Sequence, residues 1–397
     1  MAWGNPEQMA LEEKLCEQFN EQNPDISVKF FRVPGSAYLN KAIVMFASRT
    51  APDVVRIDHY NFPNLVRKNY FLDLTALTAK DKDFRESDFF PQTINEARWK
   101  GGFYGLNVMF GGEIMYYNKS LMKSAGLADP YELAKKGEWT YDRMLQHAIA
   151  LTKFGPDGRG KQFGIAVPTF PMNVPTIWAF GGEILNEDKT KSLLDLPGSI
   201  KAYQFLTDLR WKYKCAPTPA QAAQSAFSFE SGKLGMEFGW MGSAPRYNSA
   251  IKSFDWDICP IPIGPSGNTS MIKGNQLVIY RETKYPEASW RFIRFLTSSS
   301  TEKLLYVDNR RNFPTRKSVA YSKEFLNPKV RPFQTDVFLQ GVEGARELPI
   351  NHRWGEWTQI LNSEQDNLYS GRERDAGVVM RRAAAQINEV LADEEGF

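Results

Sequence analysis

The chain has 397 residues, of which 42% are hydrophobic, 13% aromatic and 24% charged; these near-average fractions exclude disordered, collagen-like and disulfide-scaffold classes and leave room for two or three lobes. Its 49 Lys and Arg against 46 Asp and Glu leave a net charge of +3, too small a surplus to hold an anionic polymer without local clustering, so nucleic acid is not an expected partner. Apolar runs such as Leu277 to Tyr280 fall far short of the ~20 residues a membrane-crossing helix needs.

At the amino end, Met1-Ala2-Trp3-Gly4-Asn5-Pro6 has no basic region and no apolar stretch, as expected of a cytosolic protein or of one whose leader has been cut away. Asn5-Pro6-Glu7 then opens a helix with a capping side chain, a proline in the first turn and an acid. Leu11, Leu15 and Phe19 give that helix its apolar stripe, and Asn23-Pro24 stops it. Ile26 to Phe30 alternates as a half-buried strand, Leu39, Ile43 and Phe46 mark a second helix, and Val54-Val55 a second strand. Helix, strand, helix, strand predicts an α/β fold with a largely parallel sheet.

Further strands are predicted at Ile114 to Tyr117, Phe163 to Val167, Leu234 to Phe238 and Gln276 to Tyr280. Thr140 caps a helix whose apolar face is Met144, Leu145, Ala148 and Ile149, and Pro286 opens another bearing Phe292, Ile293, Phe295 and Leu296. Gly155-Pro156-Asp157-Gly158-Arg159-Gly160 reads as a reverse turn. The last quarter is mainly helical, and Val379, Ala383, Ile387 and Val390 form a face that must dock. Cys16, Cys215 and Cys259 are odd in number and widely spaced, and read as unpaired.

No His-Glu-x-x-His, Cys-x-x-Cys, phosphate-cradling glycine loop, dinucleotide fingerprint or nucleophile elbow occurs, so neither a metal nor a cofactor is expected. His147 reads as structural or surface, while His59 and His352 flank loops and stay open as functional groups. Glycosidases need only two carboxylates about 5 to 10 Å apart; Asp58, Glu113, Glu183 and Glu356 lie near aromatic or glycine-rich stretches, which keeps a carbohydrate-active enzyme open as an alternative.

Aromatic placement says more. Trp3, Trp99, Trp178, Trp240 and Trp354 stand beside glycines where strands should give way to loops, whereas Trp211, Trp256 and Trp290 read as core. Flat amphipathic rings at the carboxyl ends of strands suit a ligand with C–H faces and hydroxyl edges, which describes a sugar.

Six stretches in order then carry a resemblance: Ala51-Pro52-Asp53-Val54-Val55 with Phe71 to Thr75, Tyr104-Gly105-Leu106, Met115 to Leu121 with Ala125-Gly126-Leu127, Glu138 to Asp142, Phe229 to Lys233 with Met236, and Asn312 to Ser318. They are similar to the extracellular solute-binding proteins of ABC importers, in the large carbohydrate-binding branch. The resemblance implies a two-lobe periplasmic-binding-protein fold of α/β class, with an interlobar ligand cleft that closes by hinge bending. The implied lobes are 1–111 with 277–313, and 112–276 with 314–397; crossings are expected near Gly111 to Met115, Gly274 to Leu277 and Asn312 to Arg316.

By the same resemblance the ligand-binding residues map to Trp3, Asn5, Glu7, Asp58, His59, Asn107 and Phe110 in the first lobe. Trp178, Gly181, Gly182, Trp240, Met241, Asn275, Trp354 and Glu356 complete the set, with Asn275 at the second crossing. Rings would stack on the sugar, and the acids and asparagines would bond its hydroxyls. The implied protein is a non-catalytic, monomeric receptor in the periplasm or outside the bacterial cell. It would capture a mono- or oligosaccharide, hand it to permease subunits, and meet the membrane only through them or through a lipid anchor. A polyamine or organic anion in the same fold is the alternative solute, with Arg246, Arg310 or Arg311 to hold an anion. Family members carry a secretory leader and a complete first strand, whereas here only Met1 and Ala2 precede Trp3, so a trimmed amino end is expected.

Overall fold

The computed structural model describes residues 1–4, 6–223, 225–309 and 312–392. They form two compact units, Met1–Phe110 with Lys273–Phe325, and Gly111–Ile272 with Leu326–Phe397.

In the first unit the helices fall where the apolar spacing puts them: α1 at Pro6–Gln22 and α2 at Gly35–Ala47, the latter burying Tyr38, Ala42 and Phe46. Strand β1 (Val54–Asp58) follows. Strand β2 (Gly105–Asn118) is far longer than its predicted core because it runs on from the first unit into the second. In the second unit α3 (Tyr141–Leu151) is capped by Thr140, whose side chain accepts the Arg143 N–H at 3.1 Å. Its buried face takes in His147 and leaves Ile149 exposed. His147 is structural: its ring nitrogens lie 2.9 and 3.0 Å from the Arg143 and Ala128 carbonyl oxygens.

Strands β3 (Lys153–Phe154) and β4 (Gly160–Ile165) flank the predicted turn, in which Gly158 takes φ +71°. Helices α4 (Val174–Ala179) and α5 (Pro197–Trp211) follow, then β5 (Leu234–Trp240), β6 (Trp256–Cys259) and β7 (Met271–Ile279). Helix α6 (Pro286–Leu296) returns to the first unit, and β8 (Arg346–Glu347), α7 (Trp354–Tyr369) and α8 (Ala376–Ala392) end the second, where α8 buries Val379, Ala383 and Ile387.

Two expectations are corrected. The sheet is mixed rather than largely parallel: β1 runs antiparallel to β7, and β2 antiparallel to both β5 and β6, while β4 with β5 and β8 with β7 are parallel. Alternation of helix and strand does not register that β2 and β7 pass from one unit to the other and so meet neighbours that run the opposite way. Ile26 to Phe30 joins no ladder among the described residues; the Asn20 side chain takes both backbone groups of Val28, at 2.7 and 3.0 Å.

Residues 314–325 pack on the first unit, not the second. Phe313 meets Phe90, Phe110 and Phe325, and the Arg316 guanidinium lies over Phe89 while pairing with Asp88 at 2.8 Å. All three cysteines are buried and free. Among the described residues no helix is long and apolar enough to cross a membrane.

Candidate functional site

At the carboxyl end of β1, register places Asp58 opposite Asn275 of β7. With its amide nitrogen turned to the acid, Asn275 donates to Asp58 Oδ2 at 3.1 Å. The other oxygen, Oδ1, caps a short 3-10 turn by accepting the Tyr60 N–H at 3.1 Å. Lys273 brings its ammonium 4.0 Å from Asp58 Oδ2 and 4.8 Å above the Tyr60 ring. Asp58, Tyr60, Lys273 and Asn275 are all half-buried: a partly exposed carboxylate and ammonium stand together with an amide, beside the Tyr60 ring, whose hydroxyl is buried. Lys273 and Tyr60 escaped the sequence reading; the β1 and β7 register would have revealed Lys273, which stands two residues from Asn275 on the same face of the strand.

Behind this group lies a polar interior. His59 Nδ1 is 3.5 Å from Glu96 Oε1, and Asn107 gives its amide to Glu96 Oε2 at 3.0 Å and the Thr93 carbonyl at 2.7 Å. A Cβ on Gly274 would stand 2.1 Å from Asn107 Oδ1 and 2.7 Å from Glu96 Oε2, so this backbone approach admits only glycine. Asn107 and Phe110 are fully buried, and both support the unit from inside rather than face solvent. Trp3 is half-buried, its ring 4.3 Å from that of Tyr38 and 4.5 Å from the Arg56 guanidinium. Glu7 lies in α1, and Asn5 lies outside the described residues.

The second unit places its tryptophans unequally. Trp240 ends β5 as expected, half-buried, with its carbonyl accepting the Tyr116 hydroxyl at 2.9 Å. Met241, next in line, is buried against Gly112 and Gly341. Trp354 opens α7 half-buried, in an aromatic group with Phe170 at 5.5 Å and the fully buried Trp357 at 4.8 Å. Trp178, by contrast, sits inside α4 and is only 5% exposed. The Arg346 guanidinium covers its ring at 4.3 Å, and Glu183 holds both the indole N–H at 3.1 Å and Arg346 at 2.9 Å.

The glycines after Trp178 terminate α4. The Gly181 and Gly182 N–H groups cap its carbonyls, Gly181 takes φ +77°, and a Cβ on Gly182 would meet the Ser199 nitrogen of α5 at 2.4 Å. Their glycine pattern therefore serves helix capping and packing. Arg346, exposed where Trp178 is not, also escaped the sequence reading.

The four acids weighed as an enzymatic pair divide between the units. Asp58 belongs to the first, Glu183 is engaged with Trp178 and Arg346, and Glu356 pairs with Arg353 at 2.9 Å. Glu113 is fully buried with no hydrogen-bond partner for either oxygen among the described residues, and burial holds its carboxyl well above the usual carboxylate range. Of the arginines considered for an anion, Arg246 pairs with Glu230 at 3.0 Å, and Arg310 and Arg311 lie outside the described residues. No group of three or more His, Cys, Asp or Glu suited to a metal occurs among the described residues.

Comparison with known proteins extends over almost the whole chain. A binding protein of Brucella abortus is 24% identical over 390 residues, covering 96% of this chain and 89% of its own. The arabinooligosaccharide-binding protein of Bacillus subtilis is 23% identical, over 83% of this chain and 75% of its own. An ABC substrate-binding protein of Listeria monocytogenes, solved in complex with cycloalternan, shares the fold with a TM-score of 0.85 at 23% identity, covering 99% of this chain and 98% of that one. Residues 3–303 match the bacterial extracellular solute-binding protein model, and the chain belongs to that family.

Proposed function

We propose that this protein is a non-catalytic receptor of an ABC importer that captures a mono- or oligosaccharide outside the cell membrane and passes it to permease subunits. The observation that carries this reading is the group Asp58, Asn275 and Lys273 gathered at the carboxyl end of β1 in the first unit; in the second unit, taken by itself, Trp240 and Trp354 are half-buried aromatic candidates. A sugar presents hydroxyls to the first set and C–H faces to the second. Relatives named for arabinooligosaccharide and maltodextrin, and a fold neighbour holding cycloalternan, support an oligosaccharide. Trp3 in the first unit and Glu356 in the second remain candidates, while Trp178 acts through the Arg346 it carries.

Binding requires no bond to be made or broken. A ligand shifts the population toward the form the permease reads by as much as its affinity differs between forms. The test is a thermal-shift screen with maltose, maltotriose, arabinotriose, cyclic glucans, spermidine and citrate. A native-state ligand at a hundredfold excess over its Kd stabilises by about 2.7 kcal/mol, so a sugar should raise the midpoint by several degrees. A rise with spermidine or citrate alone defeats the sugar reading, and cleavage of a glycan during prolonged incubation defeats the non-catalytic one.

A further inference from the structure

Glu113 lies near the start of the stretch of β2 that belongs to the second unit and takes no part in the proposed function. Its side chain is fully buried, and neither carboxyl oxygen meets a hydrogen-bond partner among the described residues. A buried polar group in that state calls for an explanation, and its ionised form would cost far more than the neutral acid. The backbone around it is held. The Ser270 hydroxyl accepts the Glu113 N–H at 3.0 Å and donates to the Glu113 carbonyl at 2.7 Å. A Cβ on neighbouring Gly112 would stand 2.4 Å from the Gly341 carbonyl oxygen of the helix Asp336–Glu343.

The β2 and β5 register sets Glu113 directly opposite Trp240. Residues opposite one another on antiparallel strands share a face, with Cβ atoms about 4.5–5.5 Å apart, so the carboxyl stands beside the indole. The Trp240 backbone is fixed separately, its carbonyl accepting the Tyr116 hydroxyl; the ring is left to be placed by what it rests on. Burial is what holds the Glu113 proton. Of the titratable and charged groups nearby, the Tyr141 hydroxyl of α3 donates to Thr176 at 3.0 Å and is itself kept protonated by burial. Glu237 of β5 stands on the opposite face of its strand. Asp336 accepts from Tyr131 and Gln340, and Glu343 ends the same helix. Arg346, whose N–H reaches the Ser270 carbonyl, turns its guanidinium to Trp178 and Glu183. None of these gives a Glu113 oxygen a hydrogen bond.

We propose that Glu113 is a positioning residue for sugar binding that acts through Trp240: its buried carboxyl seats the indole ring for stacking, and an ionised carboxyl, drawn toward water, unseats it. This rests on Trp240 being a stacking ring of the receptor. Glu113→Gln keeps the shape and cannot ionise, so it separates the seat from the charge.

Two measurements test it, over the alkaline range in which circular dichroism reports a folded chain. Without ligand, the Trp240 contribution to tryptophan emission is taken as the difference between each chain and its Trp240→Phe counterpart. It should change as pH rises in the parent and stay flat in Glu113→Gln. With the sugar that gives the largest thermal shift, isothermal titration should show parent affinity weakening about fivefold or more at alkaline pH, the low end of what a stacking ring contributes. Glu113→Gln should hold its neutral-pH affinity, within about twofold of the parent's. Flat emission and affinity in the parent, or parallel profiles in the parent and Glu113→Gln, would overturn the proposal. Failure of every sugar to bind would defeat the receptor reading instead, while the emission series, which needs no ligand, still decides whether Glu113 seats the ring.

Discussion

Replacing Asp58 with Asn tests the hydroxyl-binding half of the site with little change in shape. The amide keeps an oxygen for the Tyr60 N–H, now 3.1 Å from Oδ1, and the backbone ladder pairing residue 58 with Asn275 is unaffected. What is lost is the charge, together with the acceptor that Oδ2 offers to Asn275, whose amide must turn over to present its oxygen to the new N–H. A hydrogen bond to a charged group contributes about 1.5–3 kcal/mol and a neutral one about 0.5–1.5. One sugar hydroxyl transferred from carboxylate to amide should therefore cost about 1–1.5 kcal/mol, a Kd weakened roughly 5- to 13-fold. Lys273, 4.0 Å from the acid and partly exposed, rehydrates when the charge goes, so the unfolding midpoint should move little. Isothermal titration with the sugar that gives the largest thermal shift measures the first quantity and differential scanning the second. A Kd within twofold of the parent would remove Asp58 from the contacts with ligand. A large loss of stability with unchanged affinity would make its role that of a turn cap.

The tryptophans should separate by exposure. Trp240→Ala and Trp354→Ala should each cost about 1–3 kcal/mol of sugar affinity on a near-native fold, by analogy with other aromatic stacking platforms, whereas Trp178→Ala should destabilise the protein by about 3–5 kcal/mol, seen in urea unfolding, because its ring is interior. Gly274→Ala should lower stability by about 1–3 kcal/mol in the same assay, since its Cβ would force Asn107 and Glu96 apart. Glu237 is pushed up to about 8 by burial and by neighbouring Glu230, against the opposing pull of Arg246. Its proton is thus held more tightly in the folded chain: the stabilisation is complete below about pH 4.5 and is lost as pH rises through about 8. Glu237→Gln, which still accepts from the Tyr247 hydroxyl, should flatten that decline in a pH series of unfolding midpoints.

Where the sequence was legible, one local rule fixed each feature. A Thr cap, proline at first turns and apolar spacing located α1, α3 and α6, and six short motifs in order pointed to the family. Where it was not, the deciding fact lay across the fold. The antiparallel partners of β1 and β2 follow from strands that pass between units, which no window of a dozen residues contains. Lys273 becomes Asp58's neighbour only through the β1 and β7 register. The Trp178-Ala179-Phe180-Gly181-Gly182 stretch misled for a physical reason: a helix end that must approach another helix closely needs glycines just as a backbone facing a ligand does.

That ambiguity has a consequence for specificity. Because Glu183 and the indole of Trp178 fix the Arg346 guanidinium from two sides, 2.9 and 4.3 Å away, its planar donors are presented in one orientation. A lysine at 346 would keep the charge and lose both the flat stacking face and the fork that Glu183 grips. If Arg346 reads ligand hydroxyls, Arg346→Lys should weaken sugar binding nearly as much as Arg346→Ala, whereas a purely electrostatic role would be rescued by lysine. Titration of the two variants decides between them, and equal, parent-like affinity in both would return Arg346 to a cover for the Trp178 ring and nothing more.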